Sequence, residues 1–385
     1  MSDVIARIGR GVASFEAPAW DACAGTDNPF LTHALLSALE ESGSATGRTG
    51  WQPAPIAIDG PDGTPAAVMP AYLKSHSQGE YVFDHAWADA WERAGGDYYP
   101  KLQIAVPFTP VPGRRLLTRD SALAPQLIAA AETVVVQNGL SSAHATFIAP
   151  QEVPLFEAAG WLIRTDSQFH WSNEGYATFD DFLAALSSRK RKAIRKERAA
   201  ALAGLTVEHL TGAAITEAHW DAFWDFYQDT GSRKWGRPYL TRKFFSLLGA
   251  RLADRVLLIL ASFEGRPVAG ALNLIGADTL YGRYWGAIAE VPGLHFELCY
   301  YQAIEAAIAR GLTRVEAGAQ GAHKLSRGYR PVRTHSAHFL PDPNFRRAVA
   351  DFLAGEREAV GREIEALAEM APFRKGGPKD EERGR

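Results

Sequence analysis

The sequence predicts a two-domain α/β (α+β) fold, in which each domain is a mixed, largely antiparallel sheet flanked by helices, with one more helix at the C-terminus. Three observations predict it. The chain has 385 residues, which suits two domains of roughly 100 to 200 residues each. Helical and strand-like patterns follow the same order in both halves. Residues 146–170 align without a gap to residues 314–338, and the alignment places Gly160 on Gly328.

Composition and charge narrow the class of protein. Hydrophobic residues make up 46% and charged residues 22% of the chain, which is typical of a soluble globular protein. The net charge of −3 restricts any nucleic-acid contact to a local patch. The two cysteines, Cys23 and Cys299, form neither a disulfide framework nor a metal motif, and this indicates a reducing compartment. No secretion signal, membrane span or metal site is predicted, and the expected location is the cytoplasm.

In the first half, a helix is expected over residues 28–42, because Asn28-Pro29 provides a cap followed by proline in the first turn. Alternating apolar residues predict strands at 51–58 and 66–74, and a third strand is expected at 80–87. The remaining predicted elements are a helix at 119–138, a strand at 143–149, a short helix at 151–159 that stops at Gly160, and a strand at 161–171.

The second half repeats this order, beginning with a basic helix at 179–201 and an aromatic-rich helix at 217–229. Strands are predicted at 256–263, 267–275, 279–287, 312–317 and 332–340, with helices at 296–310 and 348–370. The expected domains are 1–172 and 173–345, followed by a C-terminal helix at 346–372 and a disordered tail at 373–385.

Three segments of the second half, 183–201, 267–287 and 296–331, resemble the FemAB-like branch of the GNAT acyltransferase superfamily, the branch associated with peptidoglycan biosynthesis or recognition. The segment LFEAAGW, which ends at Trp161, resembles the end of a GNAT domain. The resemblance extends over residues 15–370. It implies two tandem GNAT-like domains and a metal-independent enzyme that joins an aminoacyl group from aminoacyl-tRNA to an amine of a cell-wall precursor, with no tightly bound cofactor.

Ordinary GNAT enzymes use acyl-CoA instead, and they hold its pyrophosphate in a glycine-rich turn at a helix start. The corresponding segment, 287–301, contains one glycine, Gly293, and no arginine. This favours aminoacyl-tRNA over acyl-CoA as the donor. In the first half, Gly95-Gly96 and Lys101 form a weaker candidate for binding an anion. The chain has no GxSxG, HExxH, paired CxxC or Walker motif, which weakens hydrolase, metalloenzyme and NTPase interpretations.

The basic helix contributes the first group of candidate binding residues. Seven basic residues lie between Arg189 and Arg198. Contact with phosphates of tRNA or of a nucleotide-linked precursor is one interpretation, and a solvated helix face is the other. The candidates in this helix are Arg189, Arg191 and Arg195.

The loop around residues 316–333 contributes the second group. Lys324 is the best match to the lysine that the resemblance implies, with the role of holding a phosphate or the reacting carbonyl oxygen. An ordinary charged surface loop is the alternative interpretation. Candidate substrate-binding residues beside Lys324 are Gln320, His323, Tyr329 and Arg330.

On the strand at 279–287, alternation sends Arg283 and Trp285 to one face as candidate binding residues, and Tyr284 to the other as a candidate catalytic residue. Glu297 begins the following helix and is a candidate for meeting a cation or an amine. Core packing is the alternative for the aromatic residues.

Asp84 and His85 are candidate bases for the acceptor amine, expected on the corresponding strand of the first half, with a structural role as the alternative. Trp235 is expected either to cover the cleft and stack on substrate or to pack at an edge. An acyl-CoA-dependent N-acyltransferase and a non-catalytic precursor-recognition protein remain as alternative functions. The identities of donor and acceptor and the oligomeric state are left open.

Overall fold

The computed structural model describes residues 5–234, 238–318 and 321–374. Helices and strands alternate along the chain, and this confirms the predicted mixed α/β class. The strands are β1 (Ala6–Ile8), β2 (Trp51–Pro53), β3 (Ile56–Asp59), β4 (Pro65–Met69), β5 (Ala71–Lys74), β6 (Lys101–Ile104), β7 (Leu117–Thr118), β8 (Ala143–Ile148), β9 (Leu162–Ser172), β10 (Leu205–Leu210), β11 (Val256–Phe263), β12 (Arg266–Ile275), β13 (Thr279–Ala287), β14 (Arg314–Glu316) and β15 (Arg330–Phe339).

The helices begin and end as follows: α1 (Ala17–Ala24), α2 (His33–Glu41), α3 (His85–Arg93), α4 (Ala124–Gln137), α5 (Val153–Ala158), α6 (Phe179–Ala185), α7 (Ser188–Ala201), α8 (Glu217–Lys234), α9 (Arg242–Leu252), α10 (Leu294–Phe296), α11 (Gln302–Ala309) and α12 (Pro343–Glu369). A π-helical turn, Glu297–Tyr301, connects α10 to α11. None of the helices in this described part of the chain has both the length and the apolar character needed to cross a bilayer.

The chain divides into two compact units. Unit 1 contains Met1–Asp166, Tyr239–Leu252 and Arg333–Gly361, and unit 2 contains Ser167–Pro238, Ala253–Val332 and Arg362–Arg385. The first break lies close to the expected boundary at residue 172. The predicted second domain nevertheless includes two stretches, 239–252 and 333–345, that the structure places in unit 1.

Unit 1 is organised around strands in the order β2-β5-β6-β8-β15, in which β6 and β8 run parallel and the other pairs are antiparallel. A second sheet has the order β1-β3-β4-β7. Helix α4 packs on these strands through Leu127, Ile128, Ala131 and Val135, which recur at helical spacing and are all buried. Their burial explains why this helix could be predicted from the sequence.

Unit 2 contains strands in the order β10-β11-β12-β13-β14-β9. β11 is a continuous apolar run that is buried from Val256 to Ser262, as expected for a strand between two neighbours with both faces covered. β10 alternates in burial and lies at the edge. The sheet packs through Leu257 and Ile259 in a core that also contains Leu298 and Ile304 of the helix formed by α10, the π turn and α11.

The two aligned sequence segments have the same order of elements: β8, α5 and β9 in one, and β14, a 3-10 helix (Ala322–Arg327) and β15 in the other. Gly160 and Gly328 occupy equivalent left-handed turns, with φ of 82° and 87°. After its glycine, each segment pairs with the strand of the other segment, because β9 pairs with β14 and β15 pairs with β8. This strand exchange places residues 333–361 in unit 1.

Four predicted elements are wrong. The strand predicted at 51–58 is two strands, β2 and β3, and the strand predicted at 66–74 is β4 and β5. In both cases the two strands belong to different sheets. Residues 80–87 do not form a strand: they are a loop followed by α3, and the strand beside β5 is β6. Trp87, Ala88 and Trp91 have helical spacing, and the first two are buried. The predicted helix at 179–201 is two helices, because Leu186 and Ser187 adopt an extended backbone between α6 and α7.

Candidate active site

The candidate active site lies where two parallel strands of unit 2 part. The ladder between β13 and β14 covers Thr279–Tyr281 and Arg314–Glu316. β13 continues along β12 to Ala287, while β14 ends. The residues at this opening enclose a cavity of about 80 Å³. Its wall includes Asn273, Gly282, Arg283, Tyr284 and Trp285 from the sheet, and His295, Cys299 and Tyr300 from the following helix.

A β-bulge sets the direction of β13 at this opening. Leu272 faces Tyr284 and Asn273 faces Gly282, so Arg283 is the inserted residue. The Arg283 guanidinium donates to the Gly282 carbonyl (2.9 Å) and forms an ion pair with the buried Glu316 carboxylate (3.0 Å). Bulges of this kind redirect side chains beside functional sites. Here the bulge directs the Arg283 guanidinium of β13 to Glu316 of β14, where these two strands separate.

Beyond the bulge, Tyr284 and Trp285 contact different elements, but both line the cavity together with Arg283, so the predicted alternation does not separate them. The Tyr284 ring lies 5.8 Å from the Tyr227 ring of α8, whereas the Trp285 ring lies 5.3 Å from His295. Gly286 permits α8 to pack directly on β13, since a Cβ atom there would lie 2.2 Å from the Phe226 carbonyl carbon. α8 therefore covers β13 next to the cavity.

The helix after β13 contributes the opposite wall. A π turn inserts an extra residue between α10 and α11, and such turns occur frequently at functional sites. His295, Cys299 and Tyr300 reach the cavity from this part of the helix. These three residues were not predicted as site residues.

Glu297 is also in the π turn, but it does not line the cavity. Its side chain is buried and forms an ion pair with Arg198 of α7 at 2.8 Å, while Gln302 donates a hydrogen bond to it at 2.7 Å. Arg198 also binds Glu305 at 2.9 Å. This engagement favours a structural role for Glu297, which anchors the basic helix α7 to the helix of the site.

Lys324 lies in the 3-10 helix after β14 and is 2% exposed. Its ammonium donates to the Gly318 carbonyl at 2.9 Å. Burial, reinforced by the positive charge of Arg283, lowers the pKa of Lys324 to about 7. An amine poised in this way near neutral pH is common at functional sites.

Two ring-bearing residues close to Lys324 in the sequence, His323 and Tyr329, contact Tyr300. The Tyr300 hydroxyl hydrogen-bonds with Nε2 of His323 at 3.0 Å, and its ring lies 5.5 Å from that of Tyr329. Burial lowers the pKa of His323, which favours the neutral imidazole. Tyr329 is completely buried, and its hydroxyl has no hydrogen-bond partner among the residues that the structure describes.

The other described candidates in unit 2 lie outside the cavity wall. Arg330 pairs with Glu174 at 3.1 Å. On α7, Arg195 pairs with Asp180 at 2.7 Å on the surface, while Arg189 is exposed and Arg191 is partly exposed. Gln320 and Trp235 lie outside the described residues.

The two candidate bases belong to unit 1. Asp84 is buried, forms a short ion pair with Lys101 and accepts a hydrogen bond from Tyr98 at 2.7 Å. Burial alone would raise the pKa of Asp84, but the charges of Lys101 and His144 and the hydrogen bonds to the carboxylate together outweigh it. The pKa is lowered, so this carboxylate is a weak base. His85 is exposed at the start of α3, with its ring stacked on Phe83 at 6.0 Å. The predicted anion-binding Lys101 thus holds carboxylates of its own chain, including Glu80 at 2.8 Å.

Unit 1 contains a similar parallel pair, β6 and β8, but its own chain closes the opening. Beyond that pair, Gly113 bridges to Ile148. The buried Arg115 guanidinium donates to the carbonyls of Thr146 (3.0 Å) and Val111 (2.7 Å). The carboxylate of Glu152 accepts the Arg115 backbone N–H at 2.9 Å. The opening between parallel strands is therefore filled in unit 1, whereas that in unit 2 contains a cavity.

A signal for one missed residue is visible in the sequence. Asn273 is a polar residue inside the apolar run ALNLI, and an amide at such a position needs partners when the strand is buried. For Cys299, the only signal in the sequence is that the chain has just two cysteines. Within the described ranges, no three His, Cys, Asp or Glu side chains lie close enough together to hold a metal ion.

Comparison with known proteins identifies related sequences and folds. Residues 11–375 match the FemAB-like family, described as peptidoglycan biosynthesis/recognition. The structure is similar to that of FemX, with 12% identity and a TM-score of 0.53 over 86% of this chain and 96% of that chain. It is also similar to the C-terminal domain of a putative lysylphosphatidylglycerol synthetase from Agrobacterium fabrum (10% identity, TM-score 0.51, 86% and 94% covered) and to a conserved protein from Bacteroides thetaiotaomicron (12%, 0.53, 87% and 100%). Among curated proteins, none matches the chain.

Proposed function

Because this chain belongs to the FemAB-like family, we propose that it is an acyl- or aminoacyl-transferase that forms an amide on an amine acceptor. The family match confirms the resemblance noted in residues 183–201, 267–287 and 296–331. The observation that carries the proposal is the cavity at the opened β13–β14 pair, with Arg283 in its wall and the buried Lys324 in the adjacent loop.

The charges at this cavity suit amine acylation. The amine must attack as a neutral species, and a nearby cation lowers the pKa of a bound ammonium. Arg283 already acts in this direction on the amine of Lys324. The same positive charge would attract the oxyanion that develops on the acyl carbonyl oxygen. In this proposal Lys324 donates to that oxygen, and Tyr284 and Trp285 position the reacting groups.

The finer assignment concerns donor and acceptor. We propose aminoacyl-tRNA as the donor and the amine of a cell-wall precursor as the acceptor. The exposed cations of α7, including Arg189, Lys192 and Lys196, suit contact with tRNA phosphates. The family description supports a cell-wall acceptor. The single glycine before α10, Gly293, supports a donor other than acyl-CoA.

A donor and acceptor panel tests this proposal. Purified protein is incubated with charged tRNAs or acyl-CoAs together with amine-bearing cell-wall precursors, and amide products are measured by mass spectrometry. Transfer from tRNA is expected, and Lys324→Met is expected to lower its rate by about 10²-fold or more, as for loss of an oxyanion donor. Lys243→Met, at an exposed surface lysine outside α7, is the matched control.

The alternatives give different results in the same panel. Transfer from acyl-CoA with micromolar CoA binding would identify an N-acyltransferase of the ordinary GNAT type. Binding of a precursor without transfer from any donor would identify a recognition protein. If the protein neither binds nor uses charged tRNAs or acyl-CoAs, the transferase proposal is refuted.

A further inference from the structure

The wall of the cavity contains a buried acceptor atom to which no described residue donates a hydrogen bond. Asn273 is 1% exposed, and its amide nitrogen donates to the carbonyls of Leu257 (3.2 Å) and Ala271 (3.3 Å). Its Oδ1 atom has no hydrogen-bond partner among the described residues. Oδ1 lies on the side of Gly282, where a Cβ atom would be 3.2 Å away, and both residues line the cavity. Because buried acceptors are normally paired, this atom indicates an N–H or O–H group of a ligand.

Cys299 lies in the wall of the same cavity and is partly exposed. It is the sixth residue of the helix that begins at Leu294, and the π turn carries it. Thiols beside cations are the reactive ones, because a neighbouring positive charge stabilises the thiolate. Arg283 shares the cavity wall with Cys299, and a negative charge on its sulfur would raise the pKa of Lys324. A protonated Lys324 would in turn stabilise the thiolate.

The second cysteine does not line the cavity. Cys23 is 3% exposed, its thiol donates to the Pro65 carbonyl at 3.3 Å, and burial raises its pKa although Arg114 and Arg119 act in the opposite direction. It lies in unit 1. The chain therefore provides its own matched control, with one thiol in the cavity and one in a core.

We propose that Cys299 is an acyl-accepting nucleophile, so that the acyl group passes through a thioester on Cys299 before it reaches the amine held by Asn273. The inference rests on the transferase function proposed above. It adds to that function a covalent intermediate and the residue that carries it.

The two steps balance as follows. The Cys299 sulfur attacks the donor carbonyl carbon, a C–S bond forms, the bond to the donor's leaving oxygen or sulfur breaks, and the thiol proton passes to the leaving atom. A neutral amine then attacks the thioester carbonyl, a C–N bond forms, the C–S bond breaks, and one amine proton returns to the sulfur. Asn273 Oδ1 accepts the remaining amine N–H during this second attack.

The experiment uses full-length protein with thioesters of N-acetylcysteamine that carry an acetyl or alanyl group, without and then with an amine acceptor. These probes bypass the unidentified leaving group of the natural donor. Intact mass and peptide mapping measure acylation, and neutral hydroxylamine tests for a thioester. The proteins are wild type, Cys299→Ser, Cys299→Ala and Cys23→Ser, each checked for folding by thermal unfolding.

Wild type and Cys23→Ser are expected to gain one hydroxylamine-sensitive acyl group on Cys299, which disappears when the amine is added and reappears as amide. Both Cys299 variants are expected to lose the adduct and the transfer while remaining folded. If wild type transfers without an adduct, or if folded Cys299→Ala transfers at the wild-type rate, the intermediate is overturned and the transferase function stands. If wild type transfers from no thioester, tRNA or CoA donor, the transferase function fails and the intermediate with it.

Discussion

At Lys324, burial and the charge of Arg283 lower the pKa of the ammonium to about 7, well below its ordinary value near 10.4. The unfolded chain then binds more protons than the folded chain between these two values. The free energy of unfolding therefore rises with pH across that interval, and the cost of the buried charge is fully present below pH 7. A group kept at such a cost is a good candidate for function.

Lys324→Met is expected to raise the free energy of unfolding at pH 7 and to lower transfer activity. Removal of the buried ammonium eliminates its desolvation cost while keeping a side chain of similar length. The gain should shrink towards pH 10, where the wild-type lysine is neutral in the folded state. Chemical denaturation at several pH values measures this. Exposed Lys196→Met should leave the pH dependence unchanged, and equal effects of the two substitutions would contradict the assignment.

The ion pairs of Lys101 stabilise the folded protein, whereas the buried charge of Lys324 destabilises it. Its ammonium lies between the buried carboxylates of Glu80 and Asp84 and is itself completely buried. Lys101→Met removes the nearest cation from both buried carboxylates, leaving Glu80 only the more distant Lys74 at 3.8 Å. It is expected to cost about 3–5 kcal/mol, measured by urea unfolding. Lys243→Met removes a surface pair with Glu41 in the same unit and should cost about 0–1 kcal/mol. Similar losses in both variants would show that the buried pairs contribute no more than a surface pair.

Sequence reasoning found Lys324 because a family resemblance marked its segment. It could not assign Asp84, because the partner that lowers its pKa is 17 residues away and is brought close only by the pairing of β5 with β6. Asn273 shows the reverse case. A polar residue in an apolar strand was visible in the sequence, but its unsatisfied oxygen depends on a bulge in the next strand.

At the scale of elements, periodicity predicted those that bury one face or lie between two neighbours, such as α4, β11, β12 and β13. It failed for α3 and β6. α3 was missed because a loop anchored by buried charges precedes it, and β6 is four residues long, too short for a pattern to be recognised. Short strands are defined by their neighbours rather than by their own sequence.

Helix α7 carries the element-scale prediction. Arg189, Lys190, Arg191, Lys192 and Lys196 have no ion pair among the described residues. If α7 contacts tRNA phosphates, Arg189→Gln with Lys192→Gln should weaken binding and reduce the slope of log K against log salt by about 0.7–0.9 per lost contact. Fluorescence anisotropy over a salt series measures this.

The control for α7 is Arg266→Gln with Arg310→Gln, which removes two exposed arginines elsewhere in unit 2. The control should change neither affinity nor slope. Equal losses in both double variants would indicate a general effect of net charge, and no loss in either would assign α7 to a solvated surface.

At the scale of the whole molecule, the exchange of β9 and β15 means that neither structural unit is one continuous stretch of the sequence. Repetition in the sequence located the two segments, but no local pattern states which strand each will pair with. The predicted domain 1–172 therefore lacks two parts of unit 1. One is residues 239–252, which contain α9, and the other is residues 333–361, which contain most of β15 and most of α12.

A fragment of residues 1–172 is accordingly expected not to fold, because one edge of β8 has no partner and the core around Trp87 and Tyr98 lacks the apolar residues of α12. A composite of residues 1–166, 239–252 and 333–361, joined by flexible linkers, is expected to fold. Circular dichroism and amide exchange of β6 and β8 compare the two. Protected β8 amides in the 1–172 fragment would refute the requirement for β15.

The same exchange has a consequence for synthesis on the ribosome. β8 ends at Ile148, and its partner begins to pair at His335, so 335 − 148 = 187 residues separate them. At about 5–20 residues per second, β8 waits roughly 10–40 s after its own synthesis before its neighbour exists. During that interval the nascent chain presents an open strand edge, and we expect it to depend on chaperones that shield such edges until the last strand emerges.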